Sequence, residues 1–242
     1  MDQKILVTIC NYNHSKYLKQ AIESIQDQTY SNLDICVVDD GSEDISAVHD
    51  IVYDKMKTDN RIRFLNFEKN YGKWHALNEA IRTSDAQICT SHDADDVSLA
   101  QRIEYQYKTL TATNTIHNLC SFYHCWNEND ISNKIGTTLG DEQFSVIEPE
   151  NVTQLVLSGF QHPSINHYYT GEVETAGVSA MFARGVYDMG IRFNPPDVGL
   201  RTLLSEDSDF NFRVTSLLGR TSVLTEKLYL YRRNTSTNQE TL

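Results

Sequence analysis

The chain has 242 residues, with 33 acidic and 21 basic side chains that give a formal net charge of −12. This length is sufficient for one α/β domain with a hydrophobic core, and 40% hydrophobic with 22% charged residues argues against intrinsic disorder. The acidic balance and the absence of any block of Lys or Arg argue against a protein that binds the nucleic-acid backbone.

The cysteines indicate a reducing compartment. There are five, an odd number without a C-x-x-C motif, which predicts neither a disulfide framework nor a zinc site. Cys10, Cys36 and Cys89 lie in apolar runs and are expected to be buried free thiols. The N-terminus has no signal-peptide pattern and no run approaches the roughly 20 apolar residues of a membrane span. We expect a cytoplasmic protein, and peripheral membrane contact and oligomeric state stay open.

The first 110 residues alternate between apolar runs and helical periods. Strands are predicted at Ile5–Cys10, Leu33–Val38, Ile62–Phe67 and Ala86–Thr90. Each is followed by a segment whose apolar residues recur at helical spacing, the first with Ser15 in the N-cap position. This alternation predicts an α/β fold with a Rossmann-like, mostly parallel sheet flanked by helices.

The second half is less regular, which predicts a smaller mixed C-terminal part of a single domain, 1–242. Val178–Ala183 is typical of a buried strand, Asp207–Leu218 of a helix, and Ser222–Tyr231 of one or two strands. Residues 135–183 contain six acids and no Lys or Arg. Within them, 141–175 is either an elaborated binding region or an irregular insertion, and both interpretations stay open.

Polar clusters follow three of the predicted strands, at residues 11–14, 39–42 and 92–96. In a parallel sheet these strand ends meet at one edge, where open α/β sheets bind ligands. Asp93, Asp95 and Asp96 place three carboxylates within four residues. Because like charges repel, such crowding favours a hard divalent cation, Mg²⁺ or Mn²⁺. The alternative, a solvated acidic turn that caps a helix at Ser98, is disfavoured by the second acidic cluster nearby.

Several common site motifs are missing. The eleven glycines form neither the G-x-G-x-x-G nor the P-loop pattern, which argues against a Rossmann dinucleotide site and against a P-loop. Zincin and serine-hydrolase signatures are also absent. The acidic clusters therefore remain as the candidate functional residues.

The acidic clusters belong to a longer series of motifs, each at a predicted strand or helix end. In order they are Tyr12-Asn13, Gln28-Thr29-Tyr30, Val37-Val38-Asp39-Asp40-Gly41-Ser42, Asn70-x-Gly72-Lys73-x-x-Ala76-Leu77-Asn78, Asp93-Ala94-Asp95-Asp96 and Ser205-Glu206-Asp207-x-Asp209-Phe210. This series resembles the family 2 glycosyltransferases of the GT-A fold. Single motifs are weak signals, but their shared order is specific, densely over residues 3–110 and loosely over 176–233.

The resemblance implies a nucleotide-sugar donor, with UDP favoured, bound by residues 1–116. It places Asp40 on the nucleotide base beside Tyr12, with Asp39 supporting the same pocket. Further positions implied for the donor are Asn70, Gly72 and Lys73 in the loop near the nucleotide and Asp93 at the ribose. It also implies a metal ion, Mn²⁺ or Mg²⁺, held on the diphosphate by Asp95 with Asp93.

Residues 117–242 are implied to bind the acceptor, a hydroxyl of a saccharide or glycoconjugate in polysaccharide biosynthesis. Asp207 resembles the general base of an inverting transfer, and Glu206 is the nearest competitor for that role. Many relatives carry a Y-R-x-H motif, and here the stretch reads Tyr231-Arg232-Arg233-Asn234. Asn234 is then a candidate metal ligand, and Arg232 and Arg233 are candidate counter-charges for the diphosphate.

Two other functions remain open. A nucleotidyltransferase that makes a nucleotide sugar would use a similar acidic edge, although Thr8–Ser15 lacks the Gly-rich basic loop typical of such enzymes. An inactive nucleotide-sugar-binding module would explain the missing histidine. Processive synthesis with export is not expected, because the chain carries no transmembrane helices.

Overall fold

The structure is a computed structural model that describes residues 3–137, 144–147, 167–169, 174–202 and 204–233. Within these ranges, ten strands form one sheet, with seven α-helices and a short 3₁₀ turn around it. None of the helices in the described part combines the length and hydrophobicity that a membrane crossing requires.

The N-terminal half is a parallel sheet with crossover helices, as the sequence predicts. Its strands, in the spatial order β3-β2-β1-β4, are β1 (Ile5–Asn11), β2 (Leu33–Asp39), β3 (Ile62–Asn66) and β4 (Ile88–Asp93). The first three connections contain α1 (Ser15–Gln26), α2 (Ile45–Thr58) and α3 (Lys73–Arg82). All three parallel pairings need such crossovers, because a hairpin can join only antiparallel strands.

The rest of the sheet is mixed. It contains β5 (Val97–Ser98), β6 (His117–Cys125), β7 (Phe144–Ile147), β8 (His167–Tyr169), β9 (Glu174–Ala183) and β10 (Thr221–Arg232). The helices of this half are α4 (Arg102–Ala112), α5 (Glu128–Lys134), α6 (Arg184–Asp188) and α7 (Glu206–Leu218). Strand β9 pairs antiparallel with both β4 and β6, and β10 continues the sheet parallel to β6. The expected smaller mixed part is therefore confirmed.

The helix and strand limits differ from the predicted ones in a few places. Ser15 is the first residue of α1 and His14 occupies the N-cap position, so the predicted cap is wrong by one residue. Strand β4 begins at Ile88 rather than at residue 86 and runs on to Asp93. No strand was predicted where β6 lies, because buried polar side chains such as His117 interrupt its apolar pattern.

The core lies on both faces of the parallel sheet. Successive residues of β1 point to opposite faces: Ile5 packs with the cluster under α1 and α2, and Leu6 packs with the cluster under α3 and α7. With both faces covered, the carboxyl edge of the parallel strands stays accessible. The pairing register aligns Asn11 with Asp39 and Cys10 with Asp93 at that edge, so the polar clusters converge as predicted.

Gly41 fixes how two loops meet at this edge. Its φ is +75°, and a Cβ added there would lie 2.4 Å from the carbonyl carbon of Lys69 and 2.7 Å from the nitrogen of Asn70. Backbone atoms cannot move aside as the end of a flexible side chain can. The glycine therefore allows the 39–42 turn to pack directly on the 69–72 loop.

We expect Gly41→Ala to lower the free energy of unfolding by roughly 3 kcal/mol, because the clash adds to the cost of a left-handed conformation. Gly136→Ala is the matched control: its φ is +86°, but nothing lies within 4 Å of the added Cβ, so about 1 kcal/mol is expected. Urea unfolding followed by circular dichroism measures both. Equal losses in the two variants would contradict the close approach at Gly41.

Candidate active site

A cavity of about 440 Å³ opens at the carboxyl edge of the sheet. It brings together most of the residues selected from the sequence: Tyr12, Asp40, Asn70, Gly72, Lys73, Asp93, Asp95, Glu206, Arg232 and Arg233. Six further residues line the cavity that the sequence did not single out for a role in the site: Cys10, Asn11, His14, Ala76, Ala94 and Tyr231. Asn234 and most of 141–175 lie outside the described residues.

The two carboxylates after β2 have different surroundings. Asp39 is fully buried beneath the cavity, where its side chain accepts hydrogen bonds from the amide of Asn11 at 2.7 Å and from the hydroxyl and backbone N–H of Ser42 at 2.6 and 2.9 Å. It holds the turn and does not line the cavity. Any support that Asp39 gives to a nucleotide pocket would therefore act through the shape of this turn.

Asp40 faces the cavity and holds the loop that follows β3. Its two oxygens accept the backbone N–H groups of Tyr71 and Gly72, each at 2.8 Å. Burial raises the pKa of Asp40, and these two backbone hydrogen bonds oppose the shift. A carboxylate fixed in this way keeps acceptor capacity for a ligand in the cavity.

The acidic turn after β4 is a cluster of oxygen ligands. One carboxylate oxygen from each of Asp93, Asp95 and Asp96 lies within 4.8 Å of the other two. Burial raises the pKa of Asp93, the Lys73 ammonium opposes that shift, and the Asp95 charge adds to it. Because Asp96 is only 1% exposed, the solvated acidic turn that was the alternative does not describe this segment.

Strand β10 holds the acidic turn from one side. The Tyr229 hydroxyl accepts the backbone N–H of Asp93 at 3.2 Å and contacts Nδ1 of His92 at 3.1 Å. Burial lowers the pKa of His92 well below its ordinary value, so the ring is neutral. His92 is thus a support beneath the turn.

Arg232 holds the same turn at several points. Its backbone N–H donates to Asp96 at 2.7 Å and its Nε donates to the carbonyl oxygen of Asp95 at 2.6 Å. The other guanidinium nitrogens donate to Glu128 and to Gln20. The guanidinium that was expected to meet a diphosphate is therefore engaged by the protein itself, and its side chain is 4% exposed.

Lys73 lies between the acidic turn and the first turn of α7. Its ammonium is 2.6 Å from Asp93 and 3.7 Å from Glu206, and Glu206 also pairs with Arg201 at 3.2 Å. Burial acts to lower the pKa of Lys73, but the charges of Asp93, Glu206 and Asp207 outweigh it, and the pKa is raised well above its ordinary value. Lys73 is therefore a permanent cation of the site.

Asp207 lies in a smaller cavity of about 130 Å³ that shares Lys73, Asp93, Glu206 and Tyr231 with the large one. The N-cap residue of α7, Ser205, donates its hydroxyl to Oδ1 of Asp207, which also accepts the N–H of Ser208 at 2.8 Å. A Cβ on Gly177 would lie 3.2 Å from Oδ2. The glycine in β9 thus leaves room for this oxygen.

The donor set of the acidic turn fits a hard divalent cation. Three carboxylates supply only oxygen ligands, which Mg²⁺ and Mn²⁺ prefer. Burial raises the pKa of Asp96 well above its ordinary value, and the charges of Asp95 and Asp93 add to the shift. A cation would relieve this mutual repulsion.

Comparison with known families identifies the fold. The model of the family described as "Glycosyl transferase family 2" matches residues 6–165. The chain belongs to this family. The match includes the turn after β2, the 70–73 loop and the acidic turn, whereas the segment around Asp207 lies beyond it.

Named relatives of this chain are also glycosyltransferases. The glycosyltransferase GlyG of Streptococcus pneumoniae is 37% identical over 110 residues, 46% of this chain and 36% of that protein. GlyA of the same organism is 30% identical over 96% of this chain, which is 31% of GlyA. The chain thus spans about a third of the length of these two relatives.

Solved structures share the GT-A architecture. S. aureus TarS 1-349 in complex with UDP-GlcNAc superposes with a TM-score of 0.68 at 16% identity, covering 96% of this chain and 59% of that one. The mannosyltransferase PcManGT of Pyrobaculum calidifontis, in complex with GDP-Man and Mn²⁺, has a TM-score of 0.59 at 21% identity, covering 94% and 55%. These likenesses establish the fold.

Two residues of the site could not be found from sequence patterns. Arg201 lies in the 3₁₀ turn (Gly199–Thr202) before α7, and nothing in the sequence around it indicates that it pairs with Glu206. Tyr229 looks like any apolar strand residue, although its hydroxyl reaches the acidic turn. The role of each residue is visible only in the folded structure, where Arg201 meets Glu206 and Tyr229 meets the acidic turn.

We expect Arg232→Met to lower the free energy of unfolding by roughly 2 to 3 kcal/mol, because it removes hydrogen bonds of a buried charged group. Arg82→Met is the control, since Arg82 pairs with Glu79 at the surface and its loss is expected to cost about 0.5 kcal/mol or less. Chemical unfolding measures both. A loss as small as that of the control would show that Arg232 does not hold the turn.

Proposed function

We propose that this protein transfers a glycosyl group from a nucleoside-diphosphate sugar to a hydroxyl of a saccharide or glycoconjugate, with inversion at the anomeric carbon. One observation carries the proposal. A single cavity joins Tyr12 and Asp40 at one end to the acidic turn, and the carboxylate of Asp207 lies in the adjoining cavity. In this proposal the nucleotide lies near Tyr12 and Asp40, the diphosphate at the acidic turn and the acceptor hydroxyl near Asp207.

The donor end suits a nucleotide base. Asp40 is 4% exposed and rigidly held, so it can accept an N–H of a base without reorganising. We favour a uridine nucleotide, whose imide N–H one carboxylate can accept. TarS binds UDP and UDP-GlcNAc, whereas PcManGT binds GDP-Man, so relatives of the fold accommodate either base.

The acidic turn would hold a divalent cation, Mn²⁺ or Mg²⁺, through Asp95 with Asp93. Such an ion supplies electrostatic stabilisation of the diphosphate leaving group. Lys73 supplies a further positive charge within the same cavity. An acidic protein can thereby bind an acidic ligand.

The transfer needs a base for the acceptor hydroxyl, and Asp207 suits this role better than Glu206. Glu206 pairs with two cations, Lys73 and Arg201, so its carboxylate is already engaged within the protein. Asp207 forms no ion pair among the described residues. As the acceptor oxygen bonds to the anomeric carbon, its proton passes to Asp207, and the bond to the diphosphate breaks with its electron pair on the leaving oxygen.

Inversion follows from a single direct displacement. Retention through a covalent intermediate would need a second, nucleophilic carboxylate on the opposite face of the sugar. Asp209, the next acid along α7, is fully buried and paired with Arg213 at 2.7 Å, so it faces the core. Its role in the described structure is to stabilise the helix, not to serve the reaction.

The donor is testable with a panel of UDP- and GDP-sugars, each with and without Mn²⁺. The correct donor at about 100 times its Kd should raise the Tm by roughly 5 to 10 °C, because it binds only the folded state. We expect this shift to need Mn²⁺ and to be lost in Asp95→Asn.

The released product then separates the candidate functions. Nucleoside diphosphate supports transfer or slow donor hydrolysis, and pyrophosphate from a nucleoside triphosphate would indicate a nucleotidyltransferase. Donor binding without any turnover, across a panel of saccharide acceptors, would indicate a binding module.

We expect Asp207→Asn to lower kcat at least about 100-fold while the Kd of the donor stays within about twofold, because the base acts only in the transition state. Asp197→Asn is the matched control, an exposed acid that lines neither cavity, and full activity is expected. Donor hydrolysis and calorimetry give the two readouts. Normal turnover in Asp207→Asn would remove it as the base.

A further inference from the structure

Four side chains of alternating charge form a row across the site. Arg201 lies 3.2 Å from Glu206, Glu206 lies 3.7 Å from Lys73, and Lys73 lies 2.6 Å from Asp93. All four side chains are at most 24% exposed, so water screens these charges only partly. The row connects the 3₁₀ turn and the start of α7 to the acidic turn.

The contact between Lys73 and Asp93 lies at the candidate metal site. Asp93 belongs to the carboxylate triad of the acidic turn, and the Lys73 ammonium is within hydrogen-bond distance of its Oδ1. A divalent cation bound at Asp93 would lie within a few ångströms of this ammonium. Two cations so close repel each other strongly in a partly buried site.

We propose that Lys73 is a resident counter-ion that keeps a divalent cation out of the empty site and yields Asp93 to it only when a diphosphate is bound. The diphosphate offers the ammonium a replacement anion, so the cation and the nucleotide enter together. This inference rests on the proposed function and adds a specific role for one residue. Lys73 thus acts twice, as a competitor of the metal ion and as a ligand of the phosphate.

Glu206 is a positioning residue in this arrangement. At 3.7 Å it is the second acidic partner of Lys73, and Arg201 holds it from the other side. When Asp93 turns to the cation, Glu206 keeps the ammonium over the cavity. Because Glu206 directly precedes Asp207 at the start of α7, the lysine contacts both the donor site and the helix that carries the base.

The test compares Mn²⁺ binding without nucleotide in wild-type protein, Lys73→Met and Lys69→Met. Free Mn²⁺ is counted by electron paramagnetic resonance. We expect Lys73→Met to bind Mn²⁺ at least about tenfold more tightly than wild type, because a neighbouring positive charge is gone. Lys69 is an exposed lysine of the same loop, 5.0 Å from the Tyr71 ring, and Lys69→Met controls for net charge with no expected change.

The second measurement is of nucleotide affinity, which we expect Lys73→Met to lower. With Mn²⁺ saturating, UDP and GDP are titrated by calorimetry, and whichever binds wild type should bind Lys73→Met at least about tenfold more weakly, because a charge-assisted contact to phosphate is lost. In wild type, that nucleotide should also tighten Mn²⁺ binding, and this coupling should shrink in Lys73→Met. Lys73→Arg should retain the weak Mn²⁺ binding of wild type.

Mn²⁺ binding that is unchanged or weaker in Lys73→Met would overturn the inference, even if nucleotide binding and transfer are normal. Lys73→Gln repeats the test if the methionine variant does not fold. The wild-type coupling needs no variant: independent binding of Mn²⁺ and nucleotide would also overturn it. By contrast, a wild-type protein that binds no Mn²⁺ with or without either nucleotide would refute the metal dependence of the proposed function itself.

Discussion

The site depends on how negative charge is accommodated where the parallel strands end. The register of β1, β2 and β4 aligns Asn11 with Asp39 and Cys10 with Asp93, and the chain then adds Asp40 and Asp95 to the same edge. Carboxylates so close repel each other, and partial burial increases the cost. The acidic side chains here therefore need donors or cations as partners, and these partners give the site its shape.

The donors divide the carboxylates into structural and available groups. Asp39 uses its oxygens on Ser42 and Asn11, which makes it part of the fold. Asp93, in contrast, is balanced by the side-chain ammonium of Lys73. A flexible ammonium can move to another anion, whereas a backbone N–H cannot. We therefore assign the metal ion to the turn that contains Asp93, and the nucleotide base to Asp40, which keeps acceptor capacity beside its fixed backbone donors.

Local patterns in the sequence were enough for the first half of the fold. The runs Ile5–Cys10 and Leu33–Val38 became β1 and β2 with limits correct to one residue, because parallel strands buried on both faces are continuously apolar. The polar clusters at the ends of these strands were found because they follow the apolar runs directly. Strand β6 was missed, since His117 binds Thr221 and Asn211 across the core, and such long-range partners leave no local trace.

The same limit applies to the site. Residue type alone suggested that Arg232 meets a phosphate, but the structure commits its guanidinium to Asp95, Glu128 and Gln20. An arginine engaged in this way stiffens the acidic turn, which contributes to binding by reducing reorganisation. The other cations that line the cavity are Lys73 and Arg233.

The structure also gives different surroundings to Glu206 and Asp207, the two adjacent acids that the sequence offers as candidates for the general base. Glu206 and Asp207 both lie in the first turn of α7, where the helix dipole stabilises negative charge. Glu206 turns toward Lys73 and Arg201, whereas Asp207 turns toward Gly177, which has no side chain to cover it. Neighbouring carboxylates acquire different roles when their surroundings differ. Because Lys73 and Arg201 already pair with Glu206, Asp207 is the carboxylate to which we assign the role of base.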